Sequence, residues 1–162
     1  MKYVVVRTLC KPLSRAHLIA VFALVASLIA PLTLYAAAIT VDTLADGSVA
    51  SHCTLHDAIT AANTKALTNT CVAGTDTIQF SVTGTIVLSA TLPTISDANL
   101  TITGPGGGIT IDGGGAHLVM LVGSIIVNLQ NLTIAHGFNG GDGGGLFNTG
   151  TLTITNCTFS SN

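Results

Sequence analysis

Two residues in this chain have the types that do acid–base chemistry, at positions that bring them near each other. Asp112 and His136 each follow a short stretch of alternating apolar residues, in GITIDG and NLTIAHG. A carboxylate beside an imidazole can take up and return a proton. Sugar cleavage normally needs more, a pair of carboxylates at a set separation, and no second one is obvious in this column. Aspartate and glycine also occupy turns for conformational reasons alone, and His117 and Asp142 sit at strand ends or turns in the same way. Two metal readings arise. His52 and His56 stand four apart around Cys53, but His52 precedes the helix expected there and Cys53 is better used in a disulfide. GGDGGG, around Asp142, resembles a calcium-binding glycine repeat with its aspartate misplaced and its unit not recurring; a lone aspartate holds Ca²⁺ weakly. No catalytic residue, metal or cofactor is assigned on these grounds, and Asp112 with His136 stands as the weak catalytic alternative. NLT at Asn99 and Asn131 and NCT at Asn156 match the glycosylation pattern, though they read better as turn residues.

The elements that would position these residues show a change of period. Between His52 and Cys71, Leu55, Ala58, Ile59 and Ala62 recur at helical spacing. Thr54 with Asp57 suggests a capping-box variant, and Asp57 suits the positive end of the helix dipole. From Thr75 onward the apolar period is two. DTIQFSV, GTIVLSA, NLTITG, GITIDG, HLVMLVG, SIIVNLQ, NLTIAHG and TLTITNCTF are short, rich in β-branched residues and split by Gly, Asn, Asp or Pro. These stretches repeat. Aligning GITIDG, NLTIAH and NCTFSS puts Ile109, Leu132 and Cys157 in one column and Ile111, Ile134 and Phe159 in another, with Thr110, Thr133 and Thr158 between. VNLQN at 127–131 matches LTITN at 152–156. A repeat of this length holding three short strands is one rung of a solenoid whose like residues stack. The expected fold is all-β, a right-handed parallel β-helix. Its apolar columns fill the bore, its threonines face solvent, and Cys157 is a buried, unreactive thiol. An open bore end invites aggregation, so the helix is expected as an N-terminal plug, with Leu55, Ile59 and Ala62 on the first rung.

Composition bounds what such a chain can do. Charged residues make up 7%, and mean hydropathy is +0.69. Four of the five basic residues, Lys2, Arg7, Lys11 and Arg15, precede the apolar run LIAVFALVASLIAPLTL and then YAAAIT. That order reads as a secretory signal peptide over residues 1–38, cut between Ala38 and Ile39. The other reading is an uncleaved anchor, but the run is barely long enough to span and Pro31 interrupts it. Beyond the leader one lysine, Lys65, stands against seven aspartates, a formal net charge of −6. This balance argues against nucleic acid and anionic membranes as partners. Export makes Cys53 and Cys71 a plausible disulfide pair. The expected division is 1–38 leader, 39–75 cap with helix and disulfide loop, and 76–162 rungs.

CTLHDAITAAN resembles the CSLREAI-x-AN signature of exported bacterial β-helix proteins, the CSLREA-domain family. Cys71 and GTDTIQF resemble the second cysteine and G-x-DTI-x-F stretch that follow it. GGGLFNTGTLTITNCTFSSN is similar to the rungs of polymorphic outer-membrane proteins. The resemblance covers about residues 39–162. The chain departs from the signature at Thr54, His56 and Asp57, where the family has Ser, Arg and Glu. The resemblance implies large cell-surface or secreted proteins and supplies no catalytic residues. The leading expectation is an exported surface or secreted module, adhesin-like and without catalysis, lying outside the inner membrane at the outer membrane or beyond. Its partners would be glycans or surface proteins of host or neighbouring cells, with further rungs in cis beyond residue 162. The first alternative is a polysaccharide lyase or glycoside hydrolase of the pectin-lyase-like fold. The second is a non-functional gene fragment.

Overall fold

Residues with β-branched side chains at alternate positions cannot close a helix well, but they fit a pleated surface. In a computed structural model of the chain, which describes residues 37–72 and 76–162, they form short parallel strands throughout. The strands are β1 (Ile39–Val41), β2 (Thr77–Phe80), β3 (Gly84–Val87), β4 (Leu100–Thr103), β5 (Ile109–Asp112) and β6 (Met120–Val122). They continue with β7 (Ile126–Gln130), β8 (Thr133–Ala135), β9 (Leu146–Asn148), β10 (Thr151–Thr155) and β11 (Thr158–Ser160). One helix, α1 (Leu55–Thr64), lies between β1 and β2. The five-stranded sheet runs β1-β2-β4-β7-β10, the four-stranded sheet β11-β8-β5-β3, and β6 pairs with β9. The chain is thus a mostly β parallel solenoid of about three turns with one short helix before it.

Register builds the core. Ile39, Ile78, Ile102, Leu129 and Ile154 stack across the first sheet. Ile86, Ile111, Ile134 and Phe159 stack across the second. Ile39, Ile78, Ile102, Leu129, Ile86, Ile111 and Ile134 are fully buried; each such side chain contributes about 1.5–3 kcal/mol relative to exposure. At the far end the columns continue but burial stops. Ile154 is 45% exposed and Phe159 42%, because no described strand stacks on β10 or β11. Cys157 sits there too, free and half-buried. The expectation of a buried Cys157 is corrected on this point: its column register places it toward the bore, but its rung is the outermost one described.

The expected cap contributes more than a helix. β1 is hydrogen-bonded to β2 in the same sheet as the later rungs, a strand the alternation of three residues was too short to announce. The expected leader lies outside the described residues as far as residue 36, Ala38 is half-buried, and Ile39 opens β1. Among the described residues no helix is long and apolar enough to cross a membrane. Helix α1 is shorter than its 52–71 segment because Lys65 adopts a left-handed conformation, φ 54°, and ends it. Leu55, Ile59 and Ala62 are fully buried, and the helix contacts β1 and β2. Thr54 caps α1 by accepting from Asp57 N at 3.1 Å. The reciprocal arm of a capping box is absent: Asp57 turns its carboxylate to Ser48 Oγ at 3.1 Å and Asn69 Nδ2 at 3.3 Å. Cys53 and Cys71 form a disulfide that ties the two ends of this segment.

Lys65 also fastens the helix end to the first turn. Its Nζ lies 2.5 Å from Asp76 Oδ1 and 2.6 Å from Asp97 Oδ1. Partial desolvation opposes the charge on Lys65, but the hydrogen bonds to Asp76 and Asp97 prevail and its pKa rises above 10.5. A raised pKa contributes stability that is present below the ordinary lysine value and is lost as pH climbs through the folded one. The Asp97 side chain is only 5% exposed, and its Oδ2 has no partner among the described residues. Lys65→Met should therefore lower stability by about 1–3 kcal/mol, the cost of leaving a buried acceptor without its donor. The loss should shrink in parallel measurements as pH climbs through the raised pKa of Lys65, where wild type sheds the same proton. A chemical-denaturation midpoint unchanged at pH 7 would refute this account.

Candidate functional site

Asp112 ends β5, and His136 follows β8 on the next turn. Register sets Asp112 beside Ala135 and places His136 one residue further. His136 holds a positive φ of 48°, which swings its ring back along the stack. Its Nδ1 lies 2.9 Å from Asp112 Oδ2, and Asp112 Oδ1 accepts from Gly114 N at 2.8 Å. The imidazole is 55% exposed and the carboxylate 18%. The Gly114 N–H, then the His136 hydrogen bond, hold the Asp112 carboxyl below 3.8 against a smaller desolvation. Asp112 is thereby kept as an anion, which orients His136 rather than supplying a proton. The stacked positions on neighbouring turns are Val87, Ala135 and Ser160, so no second carboxylate faces Asp112 in this column.

A lowered carboxyl pKa contributes stability above the ordinary aspartate value, and that contribution is lost as pH falls through the folded value. Asp112→Asn should therefore flatten part of the loss of stability that wild type undergoes below about pH 4. Melting temperatures of both forms across pH 2–6 would read it. Parallel curves would show that the Asp112–His136 contact carries no free energy.

The other singled-out residues are spread apart. His52 Nδ1 is 3.3 Å from Asp42 Oδ1, which also accepts from Cys53 N at 2.9 Å. Cys53 is in the disulfide, so the His52–His56 reading lacks its thiolate. Asp142 is exposed, and its carbonyl accepts from Asn139 Nδ2 at 2.8 Å. No group of three or more His, Cys, Asp or Glu gathers in metal-binding geometry among the described residues.

A different place carries a concavity among the described residues, and residue chemistry alone gave little sign of it. Asn99, Asn131 and Asn156 all hold positive φ, at 66°, 57° and 51°. This conformation favours glycine or asparagine. Asn131 and Asn156 turn the chain from the first sheet into the second. The residue after each faces the bore and the one after that faces out, so N-x-T recurs from solenoid geometry. Asn156 Nδ2 donates to Asn131 Oδ1 at 3.4 Å, the start of an asparagine ladder. One turn earlier the same corner is longer. Gly104 aligns with Asn131, whose carbonyl occupies the space a Cβ on Gly104 would need. The chain then runs out through a turn from Pro105 to Gly108, closed by Gly108 N to Pro105 O at 2.9 Å. This turn overhangs the shorter corners beside it. Beneath lies an open groove of about 250 Å³, bordered by Pro105, Gly108, Asn131, Thr133 and Asn156.

No charged side chain lines the groove. Asn131 Nδ2, Asn156 Oδ1 and Thr133 Oγ1 make no hydrogen bond among the described residues and remain available as neutral donors and acceptors. No protein-family model matches the chain, and no curated protein or solved structure is significantly similar to it.

Proposed function

We propose that this chain is an exported, non-catalytic surface module built as a right-handed β-helix and related to the CSLREA-domain and polymorphic outer-membrane proteins. The observation that carries this reading is the outward surface. Threonines and asparagines repeat there in register, and charged groups do not recur from turn to turn. Such a face recognises a partner through many weak polar contacts spread along the stack. Glycans and surface proteins of host or neighbouring cells are the partners it fits. Exposed Ile154 and Phe159 favour further rungs in cis over β10 and β11, since an uncovered strand edge with apolar side chains aggregates. The resemblance at CTLHDAITAAN and GTDTIQF and the basic-apolar-small order of the first 38 residues support the kinship and the export.

A tagged full-length chain produced in a Gram-negative host tests this. Protease added to intact cells should remove the tag, and displaying cells should adhere to glycan-coated or cell-coated surfaces. A chain protected inside intact cells would overturn the reading. The enzymatic alternative rests on the 2.9 Å contact of Asp112 with His136. It predicts depolymerisation of pectin, with or without Ca²⁺, that disappears in Asp112→Ala.

A further inference from the structure

The ledge from Pro105 to Gly108 makes one corner of the solenoid concave, and the polar atoms along that corner are uncharged. Three facts constrain what fits there. First, size: about 250 Å³ falls just short of the roughly 300–1,000 Å³ of sites that enclose drug-sized ligands. The groove suits one ring, with any neighbouring units running on along the stack. Second, polarity: the carboxamides of Asn131 and Asn156 sit on successive turns, about 4.8 Å apart in backbone spacing. With Asn156 Nδ2 bonded to Asn131 Oδ1, Asn131 Nδ2 remains as a donor and Asn156 Oδ1 as an acceptor, and the Thr133 hydroxyl adds one of each beside them. A ligand with several adjacent hydroxyls satisfies all of these at once. The half-exposed Pro105 ring gives an aliphatic wall for the C–H face of such a ligand. Third, charge: no cation faces the groove. Lys65, the only basic residue after Arg15, is engaged by Asp76 and Asp97. With seven aspartates in the same part of the chain, an anionic ligand gains nothing and meets repulsion.

We infer that the corner groove bordered by Pro105, Asn131, Thr133 and Asn156 binds a single uncharged pyranose unit of a glycan and discriminates against uronic acids. This rests on the reading of the chain as a surface binding module and names the ligand class of that surface. Uronate-rich polymers such as pectin, the natural target of the enzymatic alternative, are the wrong chemistry for it. With no aromatic platform in the groove, a single site binds in the millimolar range, and useful adhesion comes from many copies on one cell.

The test uses the full-length exported chain, labelled with ¹⁵N and titrated with methyl glucoside, methyl galactoside, methyl mannoside and N-acetylglucosamine. Galacturonate is the anionic comparison. At least one neutral sugar should shift the side-chain amide signals of Asn131 and Asn156 with millimolar affinity. Galacturonate should bind about tenfold or more weakly, as expected where an unpaired anion is disfavoured. Thr133→Val removes the hydroxyl at nearly constant volume, and Asn131→Asp keeps a residue that tolerates positive φ while replacing the amide donor. Each should weaken binding severalfold with the backbone spectrum otherwise preserved. Absence of shifts at Asn131 and Asn156 with all four neutral sugars, equal binding of galacturonate, or full affinity in both folded variants would overturn the inference. Cell adhesion to neutral glycans that survives both substitutions would overturn the groove and leave the surface-module reading standing. Failure of the chain to reach the cell surface would overturn that reading instead.

Discussion

Ile102→Ala should lower stability by about 2–5 kcal/mol, the range for deleting a buried large aliphatic side chain. Ile154→Ala, in the same column, should cost no more than about 1 kcal/mol. Both residues are isoleucines at equivalent register positions, linked through Leu129. They differ in what covers them. Ile102 lies between Ile78 and Leu129 and is fully buried, whereas Ile154 is 45% exposed. Removing methylenes from Ile102 leaves a cavity between strands held at fixed spacing, so neighbours cannot collapse into it. Removing them from Ile154 returns a surface to water that already touches it. Equilibrium denaturation of the two variants decides the matter. Equal losses would mean that β10 is covered in solution, by rungs that follow it or by a second chain. Smaller losses at Ile102 than at Ile154 would mean that the register is wrong.

Replacing both Cys53 and Cys71 by alanine should lower stability by roughly 3 kcal/mol on the chain-entropy account, for a loop closed over 18 positions. The local consequence is larger than the number suggests. The segment between the two cysteines contains α1, whose Leu55, Ile59 and Ala62 are fully buried. Ten residues of isolated helix have almost no stability of their own in water. The disulfide keeps the helix close to β1 and β2 when it would otherwise detach. Hydrogen exchange in α1 of the double variant should accelerate toward the rate of local opening, while β4 and β7 remain protected. Reductant should reproduce the effect on wild type once partial unfolding admits it, because both cysteines are buried. Cys157→Ser serves as the control and should leave the midpoint nearly unchanged. An unaltered exchange pattern in α1 would show that its apolar stripe alone holds it down.

Much of the solenoid was legible because its information is periodic. Ile111, Ile134 and Phe159 recur at near-constant steps, and a parallel stack turns such a recurrence directly into contact. The same logic put Asp112 near His136, since two residues offset by one in neighbouring rungs can meet. The stripe Leu55, Ala58, Ile59 and Ala62 marked the helix because 3.6-residue periodicity cannot be mistaken for alternation. Short elements were not legible. β1 and β9 have three residues each, too few to show a period, and only pairing with β2 and β6 makes them strands.

The sequence by itself determined the helix, the longer strands and the register of the repeating columns, because these follow from local conformational preference and from the need to bury every second side chain. The tertiary structure alone decided burial and concavity. Cys157 and Phe159 have sequence contexts like those of Leu132 and Ile134, and they differ only in having nothing described stacked upon them. The groove depends on one corner being four residues longer than the next. In the sequence that difference is a run of glycines with a proline, which any turn could use. In the fold it is a ledge, because the strands on either side are fixed by their neighbours and the surplus chain has nowhere to go but outward.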